Sequence, residues 1–442
     1  MNHQLFSSLE KNKIRFVRIL WCDNANIIRG KAVHRSRLSH YLSDGVGIAQ
    51  AQQALPVMMD AIVAGTGLGP VGEVRLVPDW TTITPLPYAA GHARVMANMI
   101  HEGLPWSFCP RSFLQRMIAL ATKENLEIQA AFENEFYLLK PSTTEVIPAD
   151  KTVFAASLSM DLQQTVIDAI AEALIAQGII VEQYYPESGP GQQEISILYQ
   201  TALTAADQQI AFRETVKAVA HQHNLQASFL PKIFPNQAGS GTHIHWSLWQ
   251  DGKNIIPTEQ GQLSPIANQF AAGILHNLPA LMALTTPSPN SYRRLQPQNW
   301  SGAFRCWGYN NREAAIRVPT NPTLPSPTHV ELKTVDASAN PYLALGGIIA
   351  AGLDGIRNQL SLPEEITVDP ATLTDSQRNS KQIDPLPRNL GESIQKLQQN
   401  QTLLSALGTD LATAYIAIRQ AEYQAMKEWS LEQEVKQLID RY

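Results

Sequence analysis

The stretch "IQAAFENEFYLLK", residues 128–140, decides the fold class and points at the chemistry. Its branched and aromatic apolar residues read as a β-strand. Glu133 and Glu135 flank Asn134 in its middle. Strand alternation places both carboxylates on one face. Two ionised groups there repel each other and resist burial unless a cation lies between them. The alternative is a solvent-facing strand with two harmless acids.

Other stretches repeat this pattern. In "GSGTHIHWSLW", 239–249, His243 and His245 share a strand face, and the preceding Gly-Ser-Gly lets backbone approach a ligand closely. Two satisfied core histidines are the competing reading. Glu187 and Glu194 bracket "SGPGQQ", a turn between two strands, which could equally be a polar hairpin tip. Glu331 lies in "HVELK" between Val330 and Leu332, a weak signal taken alone. Together, five glutamates and a histidine on strands form a hard, oxygen-rich ligand set suited to Mg²⁺ or Mn²⁺. Arginines 293, 294, 305, 312 and 317 gather in and around "RLQPQNWSGAFRCW", 294–307, and indicate an anion. Divalent sites beside arginines suit nucleotide phosphate. No "GxxxxGK[ST]" occurs, so this is not a P-loop enzyme. From the residues alone, the chain reads as a two-metal phosphoryl-transfer or hydrolytic enzyme of unknown substrate.

At 442 residues the chain exceeds a usual single core, so two domains are expected. A net charge of -5 gives no support for nucleic-acid binding. Cys22, Cys109 and Cys306 are scattered and odd in number, which fits a reducing, cytoplasmic setting. The first residues lack the apolar core of a signal peptide. The longest apolar run, 342–353, is too short to span a bilayer, so no membrane partner is expected. Residues 13–34 read as two strands around a turn at Asp23–Asn26, followed by a helix near 35–42 and further β-like segments at 71–87 and 92–100. This gives a mainly β unit over 1–105 and a larger unit over 106–442. In the latter, helices are expected from 109, with Pro110 in the first turn, over 159–178, 203–225 and 340–356, and from Asp410 onward. Segments 226–234, 311–319 and 328–336 read as strands, making the fold α+β.

Seven motifs carry a resemblance: "FENEF", "ESGPGQQEI", "FLPKIF", "GSGTHIHWSL", "NSYRRLQP", "NREAAIRVP" and "ELKTVDASANPYLAL". Over nearly its whole length the chain resembles glutamine synthetases and the glutamine-synthetase-like γ-glutamyl-amine ligases. The resemblance implies an N-terminal β-grasp domain and a glutamine-synthetase-type catalytic domain with a strand-lined funnel. It implies a homo-dodecamer of two hexameric rings with active sites between subunits. It further implies that ATP phosphorylates the γ-carboxyl of glutamate and that an amine displaces phosphate, with two to three Mg²⁺ or Mn²⁺ per site. Carried over residue by residue, Glu135, Glu187 and Glu194 hold one metal, and Glu133, His243 and Glu331 another. His245 and Ser247 match nucleotide contacts, and Gly239 and Arg294 match binders of the amino acid. Arg312 and Arg317 match phosphate binders, with Arg312 placed for the phosphoryl transition state, and Lys232 matches the lysine of the "FxPK" stretch, grouped with the phosphate contacts.

The chain departs from the family pattern in telling places. Ammonia-using members carry a glutamate that shields the acyl-phosphate and helps deprotonate ammonium; here that position is Trp300. An indole accepts no proton, but it can wall a site for a larger amine by apolar or cation–π contact. A core aromatic is the other reading of Trp300. Lys333 stands where ammonia-using members have a carboxylate-pairing arginine, and it keeps the charge without the bidentate geometry. Asp44 either matches an ammonium-binding acid supplied by a neighbouring subunit or is a plain turn aspartate. No tyrosine-bearing "NLY" loop occurs around 365–385, so control by nucleotidylation is not expected. The resemblance therefore implies a glutamate–amine ligase, with an ammonia-using glutamine synthetase and a catalytically silent ring-forming regulator as alternatives.

Overall fold

A computed structural model describes residues 2–142, 144–321 and 327–442. Strands β1 (Phe16–Cys22) and β2 (Ile28–His34) pair as an antiparallel hairpin. Asp23 makes the reversal: its Oδ1 accepts the backbone N–H groups of Ala25 and Ile27, and Asn26 turns the chain with φ 60°. β3 (Val46–Ala49), β4 (Glu73–Pro78) and β5 (His92–His101) complete a sheet ordered β2-β1-β5-β4-β3, with β1 and β5 parallel at its centre. This is the expected β-grasp arrangement. The helix expected near 35–42 is a tighter 3₁₀ segment, Arg35–Tyr41. A helix the sequence reading did not anticipate, α1 (Asn2–Lys11), lays Leu5, Phe6 and Leu9 on this domain's core at helical spacing.

The second sheet is built on β6 (Glu127–Lys140). It runs β7 (Val181–Pro186), β8 (Gln192–Ile197), β6, β9 (Thr242–Gln250), β12 (Val330–Leu332), β11 (Ala314–Val318), β10 (Phe304–Tyr309), and curls into a nearly closed, barrel-like wall. Phe132, Ile244, Leu332 and Ile316 stand in register across four strands and are almost fully buried. They join α2 (Pro110–Lys123), α5 (Pro265–Thr285) and α6 (Pro341–Arg357) in the main core. α5 and α6 touch backbone to backbone: a Cβ on Gly273 would lie 2.2 Å from the Ala351 carbonyl oxygen, so only glycine fits there. α3 (Ser157–Ile175) and α4 (Ala202–Gln222) cover the other end of β6 through Phe136 and Leu138.

Several expected elements are shorter or were missed. Of 226–234, only Gln226–Ser228 is strand, because Pro231 has no N–H for the ladder and the chain leaves the sheet. α5 is mostly apolar, with only a few polar residues such as Gln269 and His276, so it shows little of the periodicity that betrays a surface helix. β10 also went unrecognised. Asn340 caps α6 by accepting from the N–H groups of Tyr342 and Leu343, as expected. The hairpin turn is fastened to the loop before α6: Asn26 Nδ2 donates to Ala337 O at 2.8 Å, and Asn340 Nδ2 donates to Asp23 O at 2.9 Å. Among the described residues, no helix is long and apolar enough to cross a membrane.

Candidate active site

Alternation sets which side chains leave the core, and register sets which of them meet. On the face opposite Phe132 and Ile244, Glu133 of β6 stands opposite His243 of β9. His245 stands opposite Glu331 of β12, which stands opposite Arg317 of β11. Further along, Glu135 is opposite Glu194 of β8, itself opposite Tyr185 of β7. Six strands thus deliver four acids, two histidines, an arginine and a tyrosine to one wall. Glu187 joins from the turn after β7, where the Ser188 N–H donates to its Oε2.

The acids sort into two groups. Ligand atoms of Glu133, His245 and Glu331 lie within 4.8 Å of one another, a geometry able to hold a metal ion. His243 sits one position back and looks both ways. Its Nδ1 is 3.2 Å from Glu331 Oε1, and its Nε2 is 3.8 Å from Glu135 Oε1. The expected trio is Glu133, His243 and Glu331, and both histidines flank that acid pair: His243 stands opposite Glu133, and His245 stands opposite Glu331 with its Nε2 2.6 Å from Glu133 Oε2. His243 is buried, with its Nδ1 turned toward the Glu331 carboxylate. The second group is Glu135, Glu187 and Glu194. Gly241 N–H and Gln192 Nε2 both donate to Glu135 Oε2, at 3.0 and 3.2 Å. A Cβ on Gly241 would lie 2.6 Å from His243 Nε2, so the Gly-Ser-Gly does bring backbone against the site.

The electrostatics differ between the groups. Burial raises Glu133, but the hydrogen bond and charge of His245 outweigh it and hold the carboxyl at about 2. Glu331, buried throughout, is held well below the usual range by the Lys333 charge and by His243. Lys333 Nζ donates to its Oε1 at 3.2 Å, and Arg317 Nη1 to its Oε2 at 2.8 Å. Burial and the Lys333 charge push His243 down to about 4, leaving a neutral imidazole ready to ligate. In the second group, burial and the neighbouring Glu187 push Glu135 up to about 8. Burial, then Glu133 and Glu135, raise Glu194. Carboxylates crowded without a cation behave this way, and a divalent ion between them is the natural neutraliser. The donor set, carboxylate oxygens with imidazole and no thiolate, fits Mg²⁺ or Mn²⁺.

Beside the acids opens a cavity of about 710 Å³ lined by Glu133, Glu194, His245, Ser247, Arg312 and Arg317, among others. Tyr199 and Trp249 wall its outer part, rings 6.2 Å apart. A larger groove of about 990 Å³ elsewhere, along Thr409–Met426, has no titratable lining residue and cannot host this chemistry. Arg294 is buried against Gly239, where a Cβ would meet its Cγ at 2.5 Å. Its Nη2 donates to the carbonyls of Lys333 and Val335, and its Nε is buried with no partner. Trp300 is 54% exposed, which removes the core-aromatic reading. Its indole stands 5.8 Å from the Arg312 guanidinium.

Not every expected residue converges here. Lys232 lines a separate cleft with Arg293 and Glu434, its Nζ donating to Gln237 O. Asp44 is exposed in the turn before β3, where its carbonyl accepts from Arg75, and it does not line the cavity. The sequence reading missed three site neighbours. Tyr185 lines the cavity between Glu187 and Glu194, His329 packs 5.1 Å from His245, and the Glu313 carboxylate accepts from the loop bearing Trp300. For Tyr185, the alternation of "YYPE" with Glu187 was a usable signal; for the others, none existed in one sequence.

Comparison with known proteins agrees with this geometry. Residues 107–438 match the family model "Glutamine synthetase, catalytic domain", and 1–106 match "Glutamine synthetase N-terminal domain". The chain is 37% identical to a gamma-glutamylpolyamine synthetase, GlnA3, of Streptomyces coelicolor, covering 95% of this chain and 91% of the relative. It is 33% identical to type-1 glutamine synthetase 1 of Dictyostelium discoideum, covering 98% and 91%. The solved structure of a GmaS–ADP complex superposes with a TM-score of 0.86 at 28% identity, covering 99% of each chain.

Proposed function

The chain belongs to the glutamine synthetase family, and on that premise we propose that it is an ATP-dependent carbon–nitrogen ligase joining the γ-carboxyl of glutamate to an organic amine. Family members use ATP and divalent metals. Both carboxylate groups described above fit such ions, which when bound polarise phosphoryl oxygens and neutralise developing charge. Glu135, Glu187 and Glu194 would hold one, and Glu133, Glu331 and a histidine of the pair His243/His245 another. The cavity with Ser247, Tyr199 and Trp249 would hold the nucleotide. Arg294, with its unpartnered Nε beside Gly239, would bind a carboxylate of the amino acid. Arg317 and Arg312 line the same cavity, and Arg312 would stabilise the transferring phosphoryl group on its way to the γ-carboxylate. Transfer makes γ-glutamyl phosphate, turning a poor leaving group into a good one. The amine then attacks the acyl carbon, phosphate departs, and the amine loses a proton. Lys333 is bonded to Glu331, so its role here is to hold that ligand, with any contact to substrate secondary.

The observation that carries the choice of an organic amine is Trp300: an exposed indole over Arg312 where ammonia chemistry needs a carboxylate. A polyamine synthetase among the relatives supports the same reading. Glutamine synthetases of comparable identity support ammonia use as the second reading. A catalytically silent scaffold has no need of the full ligand set, and the set is complete. Purified protein with Mg²⁺, glutamate and ATP should release phosphate with some members of an amine panel and little with ammonium. Strong glutamine synthesis from ammonium alone would sink the proposal. We further propose assembly as two stacked hexameric rings, with Asp44 reaching a neighbouring subunit's site, and a cytoplasmic location.

A further inference from the structure

The loop that presents Trp300 is held in an unusual way. Gln298 and Trp300 both adopt left-handed backbone, φ 62° and 52°, a region that side-chain-bearing residues occupy rarely. For Trp300, a bulky residue, something must enforce it. The enforcing group is the buried carboxylate of Glu313. Its Oε2 accepts the Gln298 N–H at 3.1 Å, and its Oε1 accepts the Trp300 N–H at 2.9 Å. Glu313 is itself anchored. Its N–H donates to Asn311 Oδ1 at 3.0 Å, and Asn311 Nδ2 donates to the carbonyls of Ile366 and Val368. The preceding residue, Arg312, supplies the guanidinium beneath the indole. One dipeptide, Arg312–Glu313, therefore grips the loop by its backbone and its aromatic ring together.

We propose that Glu313 is a positioning residue: it shapes residues 298–300 and so sets where the Trp300 indole stands over Arg312. Its effect on amine selection rests on the ligase reading above, while the grip on the loop does not. Exchange and kinetics separate the two. Hydrogen–deuterium exchange of the peptide around 296–302 is expected to speed up in Glu313→Ala and to lie between wild type and alanine in Glu313→Gln, which keeps one acceptor oxygen. Exchange in β6 and β9 should stay unchanged, which excludes general unfolding. In kinetics, Glu313→Ala should raise the amine KM about two- to fivefold, the scale of a lost exposed cation–π contact, with the ATP KM unmoved. If Glu313 acts through Trp300, the double variant Trp300→Ala/Glu313→Ala will be no worse than Trp300→Ala. Unchanged loop exchange in both Glu313 variants, or fully multiplicative losses in the double variant, would overturn the proposal. Should wild type turn over no amine, the ligase reading fails, and the exchange data still decide the role of Glu313.

Discussion

Mn²⁺ binding at the Glu135, Glu187 and Glu194 group is expected to weaken about a hundredfold between pH 8 and pH 6, because Glu135 takes up a proton over that range. Burial and the charge of Glu187 push its carboxyl up to about 8. A cation binds only the ionised form, so below pH 8 each unit costs about tenfold in apparent Kd per displaced proton. Two units give about 10²-fold, or ~2.7 kcal/mol. Glu194 and Glu187 are also raised, in each case first by burial, so the slope can exceed one proton. The sign for stability follows. A carboxyl raised from 4.5 contributes stability that is fully present below the unfolded pKa and lost as pH climbs through about 8. The metal-free protein should therefore lose stability from pH 5 to 8, and the Tm gain from Mn²⁺ should grow over the same window. Calorimetry at pH 7 in two buffers of different ionisation heat should show about one or more protons released per Mn²⁺. Glu135→Gln should both weaken binding and flatten the pH slope by about one proton. A Kd indifferent to pH between 6 and 8, with no proton release, would refute the reasoning.

Three further outcomes are expected. Trp300→Glu should weaken organic-amine use about two- to fivefold in KM while leaving ATP binding in place; an unchanged amine preference would take Trp300 out of the site. Arg312→Ala should lower kcat by about 10²–10³ with little change in the KM for ATP, as measured by phosphate release, since its charge acts mainly on the transition state. In Gly239→Ala the new Cβ would lie 2.5 Å from both the Pro231 carbonyl oxygen and Arg294 Cγ, so Arg294 must move. That crowding should cost about 1–3 kcal/mol and raise the glutamate KM about tenfold, readable in steady-state kinetics at fixed ATP.

Much of the fold was legible because local physics sets it. The 23–26 reversal, the Pro110 start of α2, the Asn340 cap of α6 and the strand through "FENEF" all arise from residues within a few positions of one another. α5 was not legible, because its few polar residues, such as Gln269 and His276, are too sparse among buried apolar ones to mark a period, and Pro279 lies inside it. α1 was passed over in a terminal stretch too short for its apolar spacing to stand out.

By itself the sequence determined which residues face away from the core: alternation placed Glu133 with Glu135 and His243 with His245, and the motif order identified the family. Only the tertiary structure decided who meets whom. Strand register is set by turns and by hydrogen-bond pairing between segments as distant as β9 and β12, so no local pattern announces that Glu331 stands opposite His245. The same holds for Trp300. Sequence showed an indole where a carboxylate was expected, but its exposure, its contact with Arg312 and the grip of Glu313 on its backbone exist only once the two loops are folded against each other.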